Sequence, residues 1–178
     1  MSPVPVLLVH QEAGIAGKNP YSNILVPYDG SEQSNRALDY AVTIAKTCNS
    51  TVLLFHTIEE ILLPPTIHSI RFKSKITGEE VSKEAYLKEL HQELKNEMVT
   101  TLEMMRTKYK QAKPNVTINV EVVVGYPPVS IIKKIDDGKF PLIVMGTVGL
   151  RGISKLHAIG SVARKVSENS SCNVLLVH

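Results

Sequence analysis

Short apolar runs separated by amphipathic stretches dominate the hydrophobic pattern of this chain. Runs typical of buried strands lie at residues 24–28, 51–57, 116–124, 140–144 and 173–178. Between them, apolar residues recur every three or four positions, which predicts helices at residues 31–45, 79–113, 129–135 and 161–169. Strands and helices therefore alternate, a pattern typical of an α/β protein with a parallel sheet.

This alternation predicts a Rossmann-like or flavodoxin-like fold, a three-layer sandwich around a parallel sheet with right-handed crossovers. In such sheets, ligands bind beyond the carboxyl ends of the strands, where the strand order reverses. Asp29 directly follows the first of the predicted strands and Gly146 follows the fourth. We expect these two residues to flank one crevice.

The segment after the fourth predicted strand is rich in glycine, and Gly160-Ser161 opens the next predicted helix. Glycine lets the backbone approach a ligand closely. The free N–H groups at a helix start, together with the helix dipole, favour phosphate. A tight strand-to-helix connection without any ligand explains the same glycines equally well. The residues alone leave both interpretations open.

Composition narrows the classes of function. The chain has 178 residues, of which 43% are hydrophobic and 21% charged, which suits one globular domain with a substantial core. The net charge of +3 is spread along the chain and gives little support to nucleic-acid binding. Cys48 and Cys172 have no metal-type spacing and indicate ordinary buried thiols in a reducing compartment. No apolar run approaches the roughly 20 residues of a membrane helix, so we expect a cytoplasmic protein.

Motifs of several common enzyme sites are absent from the sequence. It contains neither the dinucleotide fingerprint G-x-G-x-x-G nor the hydrolase elbow G-x-S-x-G. It also lacks H-E-x-x-H and similar ligand sets. The segment 14–19 superficially echoes a P-loop, but its spacing is wrong and the final Ser or Thr is missing.

Two segments fall outside the main pattern. Residues 1–20 are predicted to form an N-terminal extension ahead of one domain over residues 21–178. The pentamer Val-Leu-Leu-Val-His at residues 6–10 recurs verbatim at residues 174–178, so the extension could add an edge strand to its own sheet or to a neighbour's. Residues 59–78 lack clear periodicity and are interpreted as a mobile surface insertion rather than a functional flap.

Residues 22–178 resemble the universal stress protein family. The resemblance rests on Ile24-Leu25-Val26-Pro27-Tyr28-Asp29-Gly30-Ser31, on Val124-Gly125-Tyr126-Pro127, and on Leu142-Ile143-Val144-Met145-Gly146-Thr147-Val148-Gly149 with Gly160-Ser161-Val162. It implies a five-stranded parallel sheet in the order 3-2-1-4-5. It also implies a homodimer through antiparallel pairing of the last strand, residues 173–178, which the segment 4–10 could join.

One branch of this family binds ATP through the pattern G-x2-G-x9-G-[S/T], and another branch binds none. Here Gly146-x2-Gly149 is followed by ten residues before Gly160-Ser161, one more than the pattern. Because the glycines and Ser161 are all kept, we expect the loop to bulge and ATP, or another adenine nucleotide, to bind. The alternative is a stress protein that binds no nucleotide and acts through its dimer surface.

The resemblance implies a role for each residue of the expected nucleotide site. Pro27, Tyr28 and Asp29 would border the adenine and ribose, and Thr57 and Met145 would close the base pocket. The ribose and phosphates would be held by the Ser161 hydroxyl and by the backbone N–H groups of Gly146, Gly149, Gly160, Ser161 and Val162. A divalent cation, Mg²⁺ or Mn²⁺, could accompany the phosphates without dedicated protein ligands.

The expected function is that of a nucleotide-regulated stress-response module rather than a fast enzyme. No residue is evident as a general base for attack of water on a phosphate, so any ATP hydrolysis is expected to be slow. A nucleotide α-hydrolase of similar architecture would carry an S-G-G-x-D-S loop after the first strand. Residues 29–32 lack it.

Overall fold

A computed structural model of the chain describes residues 4–10, 21–64, 71–148 and 159–178. The strands in these ranges are β1 (Val6–Leu8), β2 (Asn23–Pro27), β3 (Thr51–Ile58), β4 (Phe72–Lys73), β5 (Glu80–Val81), β6 (Thr117–Val124), β7 (Leu142–Gly146) and β8 (Asn173–Val177). The helices are α1 (Glu32–Cys48), α2 (Lys83–Ala112), α3 (Pro127–Gly138) and α4 (Ser161–Asn169). No helix in the described ranges is both long and apolar enough to cross a membrane.

The main sheet has six strands in the order β1-β8-β7-β2-β3-β6. The strands from β8 to β6 are parallel. Counted without β1 and the short β4 and β5, their order is 3-2-1-4-5 when the sheet is traversed from β6. This confirms the predicted α/β fold. Strand order reverses between β2 and β7, which lie side by side in the middle of the sheet.

Two apolar clusters form the core, one on each face of the sheet. The first lies under α1 and α2 and includes Ala37, Leu38 and Leu102. The second lies under α3 and α4 and includes Ile131 and Val166. Successive residues of a strand point to opposite faces, so the buried runs of β2 and β7 supply side chains to both clusters. The sheet is therefore the middle layer of three.

The segment interpreted as a mobile insertion contains regular structure. Within its described part lies β4, which contacts α2 and pairs antiparallel with β5 just beyond the segment. The rings of Phe72 and Tyr86 lie 5.1 Å apart, and the Ser74 hydroxyl donates to a Glu89 carboxylate oxygen at 2.8 Å.

The helix predicted from residue 79 begins four residues later, at Lys83, so that part of the prediction is wrong. Ser82 has extended backbone dihedrals, and its side chain accepts a hydrogen bond from the Ala85 N–H. A serine in this geometry satisfies one of the free donors at a helix start. The two residues before it, Glu80 and Val81, pair with β4 instead.

The N-terminal extension adds a strand to the sheet of its own chain. β1 pairs antiparallel with β8, with Leu7 opposite Leu175. The His10 N–H donates to the side-chain oxygen of Asn173 at 3.1 Å. The outer edge of β8, the last strand, is therefore covered along part of its length.

We predict that Leu102→Ala destabilises the fold by about 2–5 kcal/mol, because it removes a fully buried side chain from the first cluster and leaves a cavity. Among the residues of α2, which the structure describes throughout, only Leu102 is classed as buried. Urea denaturation measures the loss. Met104→Ala is the matched control, since 62% of Met104 is exposed and the expected change is within about 0.5 kcal/mol. Equal losses in the two variants would contradict this account of how α2 docks.

Candidate functional site

A cavity of about 780 Å³ opens at the carboxyl ends of β2, β3 and β7. It lies where the strand order reverses, which is the usual ligand site of open α/β sheets. Its volume falls within the range of about 300–1,000 Å³ that is common for small-molecule sites. The predicted crevice is present, and Asp29 and Gly146 both line it.

The turn between β2 and α1 forms one wall. Pro27, Tyr28 and Asp29 all line the cavity. The Tyr28 hydroxyl donates to the Asn35 side chain at 2.9 Å, and burial, together with the nearby Asp29 charge, raises the pKa of Tyr28. An Asp29 carboxylate oxygen accepts from the Ser31 N–H at 3.0 Å. This local bond fixes the turn that leads into α1.

The end of β3 forms the next wall. His56 Nδ1 lies 2.6 Å from the Tyr28 carbonyl oxygen, so Nδ1 carries the proton and donates to that oxygen. Thr57 lines the cavity, and its buried hydroxyl has no hydrogen-bond partner among the residues that the structure describes. Most buried polar groups in proteins are paired. Thr57 is thus a free polar group at the cavity wall.

The start of α4 closes the opposite side. Gly160 is the N-cap residue and supplies no side-chain cap. Ser161, Val162 and Ala163 line the cavity, and within the described ranges no acceptor is found for their backbone N–H groups. The first N–H groups of a helix have no partner inside the helix. They carry the positive end of its dipole, so this side of the cavity favours an anion.

The Gly160 N–H, unlike the N–H groups of the next three residues, has a hydrogen-bond acceptor among the described residues. It donates to the Thr147 carbonyl oxygen at 2.7 Å, so in this structure that donor is already used. The bond ties the start of α4 to the end of β7. Gly149 lies outside the described residues, as does the remainder of the glycine-rich loop to residue 158.

The sequence model of the universal stress protein family matches residues 20–178 of this chain. The chain belongs to this family. The universal stress protein YxiE of Bacillus subtilis (strain 168) is 31% identical over 157 residues, which cover 88% of this chain and 99% of that relative.

Solved structures of universal stress proteins share the fold. The universal stress protein UspA from Lactobacillus plantarum superposes with a TM-score of 0.71 at 21% identity, over 89% of this chain and 98% of the other. A universal stress protein solved in complex with cAMP superposes with a TM-score of 0.57 at 27% identity. That match covers 89% of this chain and 98% of the other.

Within this universal stress protein, α2 supplies a wall that sequence reasoning missed. Glu97, Met98 and Thr101 line the cavity, and Met98 also packs against the first cluster. The spacing of apolar residues predicted that this face of α2 packs against the core. It did not predict that part of the same face lines the cavity.

The ionisable side chains in the described lining of the cavity include several carboxylates. Asp29, Glu59 and Glu97 line it, and no Lys or Arg belongs to the described lining. No group of three or more His, Cys, Asp or Glu side chains in the described ranges could hold a metal ion. An anionic group in the cavity would therefore depend on the free N–H groups at the start of α4.

Gly146 is required for packing as well as for access to the cavity. A Cβ atom at this position would lie 2.8 Å from Gln33 Cβ and 3.0 Å from the Gln33 carbonyl carbon. These distances are too short for unstrained contacts, and the nearest atoms belong to the helix itself. Gly146 thus lets α1 lie close against the end of β7.

We predict that Gly146→Ala destabilises the protein by about 1–3 kcal/mol, the usual cost of overpacking a core contact. Thermal and urea unfolding measure the change. Gln33→Ala is the control, because it trims the same neighbour without adding an atom at Gly146, and it should change stability by no more than about 0.5 kcal/mol. A Gly146→Ala protein as stable as the unmodified chain would show that α1 can retreat at no cost.

Proposed function

We propose that this universal stress protein binds an adenine nucleotide, ATP in the first instance, in the cavity at the carboxyl ends of β2, β3 and β7. The observation that carries the proposal is the uncapped start of α4, whose free N–H groups line that cavity. The family member solved with cAMP supports it, because that ligand also joins an adenine base to a phosphate.

In the proposed complex, the base and ribose lie at the carboxyl ends of β2, β3 and β7. Pro27, Tyr28 and Asp29 border them, and Thr57 and Met145 close the base pocket. The Thr57 hydroxyl is itself buried, so it would gain a partner there only if its side chain turns towards the ligand; this would offset the cost of about 1–3 kcal/mol that a buried, unpaired polar group carries.

The phosphates lie at the start of α4. Ser161 and Val162 offer backbone N–H groups, Ser161 adds its hydroxyl, and Gly146 allows close approach at the end of β7. Gly149 belongs to the proposed phosphate loop on the strength of the sequence pattern. The Gly160 N–H can join these donors only if it leaves the Thr147 carbonyl. Mg²⁺ or Mn²⁺ would arrive with the phosphates, since the described residues offer no dedicated metal site.

The proposed role is regulatory. Nucleotide occupancy would set the state of a cytoplasmic stress-response module, and any hydrolysis of ATP would be slow. We further propose that the protein forms a homodimer through the last strand, residues 173–178. The competing function is that of a universal stress protein without nucleotide, which the additional loop residue between Gly149 and Gly160 favours.

Ser161→Pro tests the phosphate site with little risk to the fold. Proline is tolerated at the first position of a helix, and Gly160, with φ −59° and ψ 154°, already has the extended conformation that proline requires before it. The substitution removes both the N–H and the hydroxyl of Ser161. Hydrogen bonds to charged groups are worth about 1.5–3 kcal/mol each, so the loss of one alone lowers the affinity by roughly 10- to 150-fold. We predict that the affinity of Ser161→Pro for ATP falls by at least this much in calorimetric titration.

Two controls separate the contributions. Ser161→Ala removes only the hydroxyl and should weaken ATP binding less than Ser161→Pro. Adenosine, which keeps the ribose but lacks phosphates, should lose less affinity than ATP in both variants. If Ser161→Pro binds ATP with unchanged affinity, the start of α4 is not the phosphate site. If the unmodified chain binds neither ATP nor adenosine, the nucleotide-free alternative is correct.

A further inference from the structure

β1 pairs with the outer edge of β8, and both strands contain the sequence Val-Leu-Leu. The pentamer Val-Leu-Leu-Val-His begins at Val6 and again at Val174. The two copies pair antiparallel, and Leu7 lies opposite Leu175. Each of these two leucines is the second residue of its pentamer.

The register of this pair is symmetric. Val6, the first residue of its pentamer, lies opposite Leu176, the third of the other, and Leu8 lies opposite Val174 in the reciprocal way. Equivalent positions thus exchange about a local two-fold axis through the Leu7–Leu175 pair. This is the relation that two identical strands have in a two-fold symmetric interface, where the same patch serves both partners.

A second copy of β8 would fit the same edge in the same register. Leu175 would then lie opposite Leu175 of the second copy on the two-fold axis. The five residues Asn173–Val177 would all find partners in such a pair. β1 covers only the three residues from Val174 to Leu176.

β1 is also short, with three residues, and partly exposed. Val6 and Leu7 are 36% and 44% exposed, and Leu8 is the residue of β1 that packs against the second cluster. Beyond this short ladder, the His10 N–H bonds to the Asn173 side chain. An exposed strand edge is a template for another strand, and here a longer matching strand exists in every copy of the chain.

We propose that β1 is an internal mimic of the partner strand, and that β1 and β8 of a second copy compete for one edge. The proposal rests on the homodimer proposed above and adds its regulation. With β1 in place, the edge is closed and the chain stays monomeric. Release of β1 exposes β8 and permits the symmetric dimer.

Leu8→Asp tests the competition in the full-length chain. A carboxylate turned towards the second cluster is costly, so β1 should be released while β8 keeps its sequence. We expect the dissociation constant of the dimer, measured by sedimentation equilibrium, to fall at least tenfold relative to the unmodified chain. Val9→Asp is the matched control, because Val9 follows β1 and is 71% exposed. It should associate as the unmodified chain does.

Charges on the axis test the register. In the Leu8→Asp background, Leu175→Lys or Leu175→Glu would place like charges opposite each other, which destabilises a strand pair. Each double variant alone should be monomeric, and an equimolar mixture of the two should form a heterodimer. Circular dichroism checks that each is folded. If the Leu175 variants fail to fold, the comparison of Leu8→Asp with Val9→Asp decides alone.

The failures are distinguishable. A dimer that is equally tight with and without Leu8→Asp would overturn the competition and leave the homodimer standing. Absence of dimer in every variant would overturn both proposals, and the nucleotide site would be unaffected. A Leu8→Asp dimer that is insensitive to both charges at Leu175 would overturn the symmetric register.

Discussion

The contact between α1 and the end of β7 is the constraint on which the candidate site depends. Because Gly146 has no side chain, the Gln33 carbonyl carbon of α1 can lie 3.0 Å from the position that a Cβ atom would take, closer than an unstrained contact allows. The position of α1 sets the turn from Pro27 to Ser31, since Asp29 bonds to the Ser31 N–H. His56 then ties β3 to that turn through the Tyr28 carbonyl. One missing side chain thus positions two walls of the cavity.

The strand pattern could be predicted because parallel strands are buried on both faces and read as continuous apolar runs. The strand predicted at residues 24–28 is observed at Asn23–Pro27, and the strand predicted at residues 173–178 is observed at Asn173–Val177. The start of α2 could not be predicted in the same way. Locally, Glu80 and Val81 fit a helical period, but their pairing with Phe72 and Lys73 depends on residues several positions away in the chain.

Some features of the candidate site could likewise be predicted from the sequence, and others could not. The order of the strands alone determines which strand ends are adjacent, so the sequence was sufficient to predict that Asp29 and Gly146 line one crevice. The direction of a donor needs the folded backbone, and Gly160 shows the difference, because its N–H turns to the Thr147 carbonyl. The α2 wall at Glu97 and Met98 depends on how far a long helix extends past the sheet, which no local pattern records.

The cavity and the outer edge of the sheet are connected through β8. Thr147 lines the cavity, its N–H donates to the Val177 carbonyl at 2.9 Å, and its hydroxyl lies 2.9 Å from His178 Nδ1. The His178 carbonyl in turn accepts from Arg36 of α1 at 3.0 Å. Of the three hydrogen bonds of Thr147 to described residues, one ends on Val177 of β8 and one on His178, the residue that follows β8. The proposed nucleotide site is therefore linked through Thr147 to the end of β8, the strand whose outer edge is the proposed dimer edge.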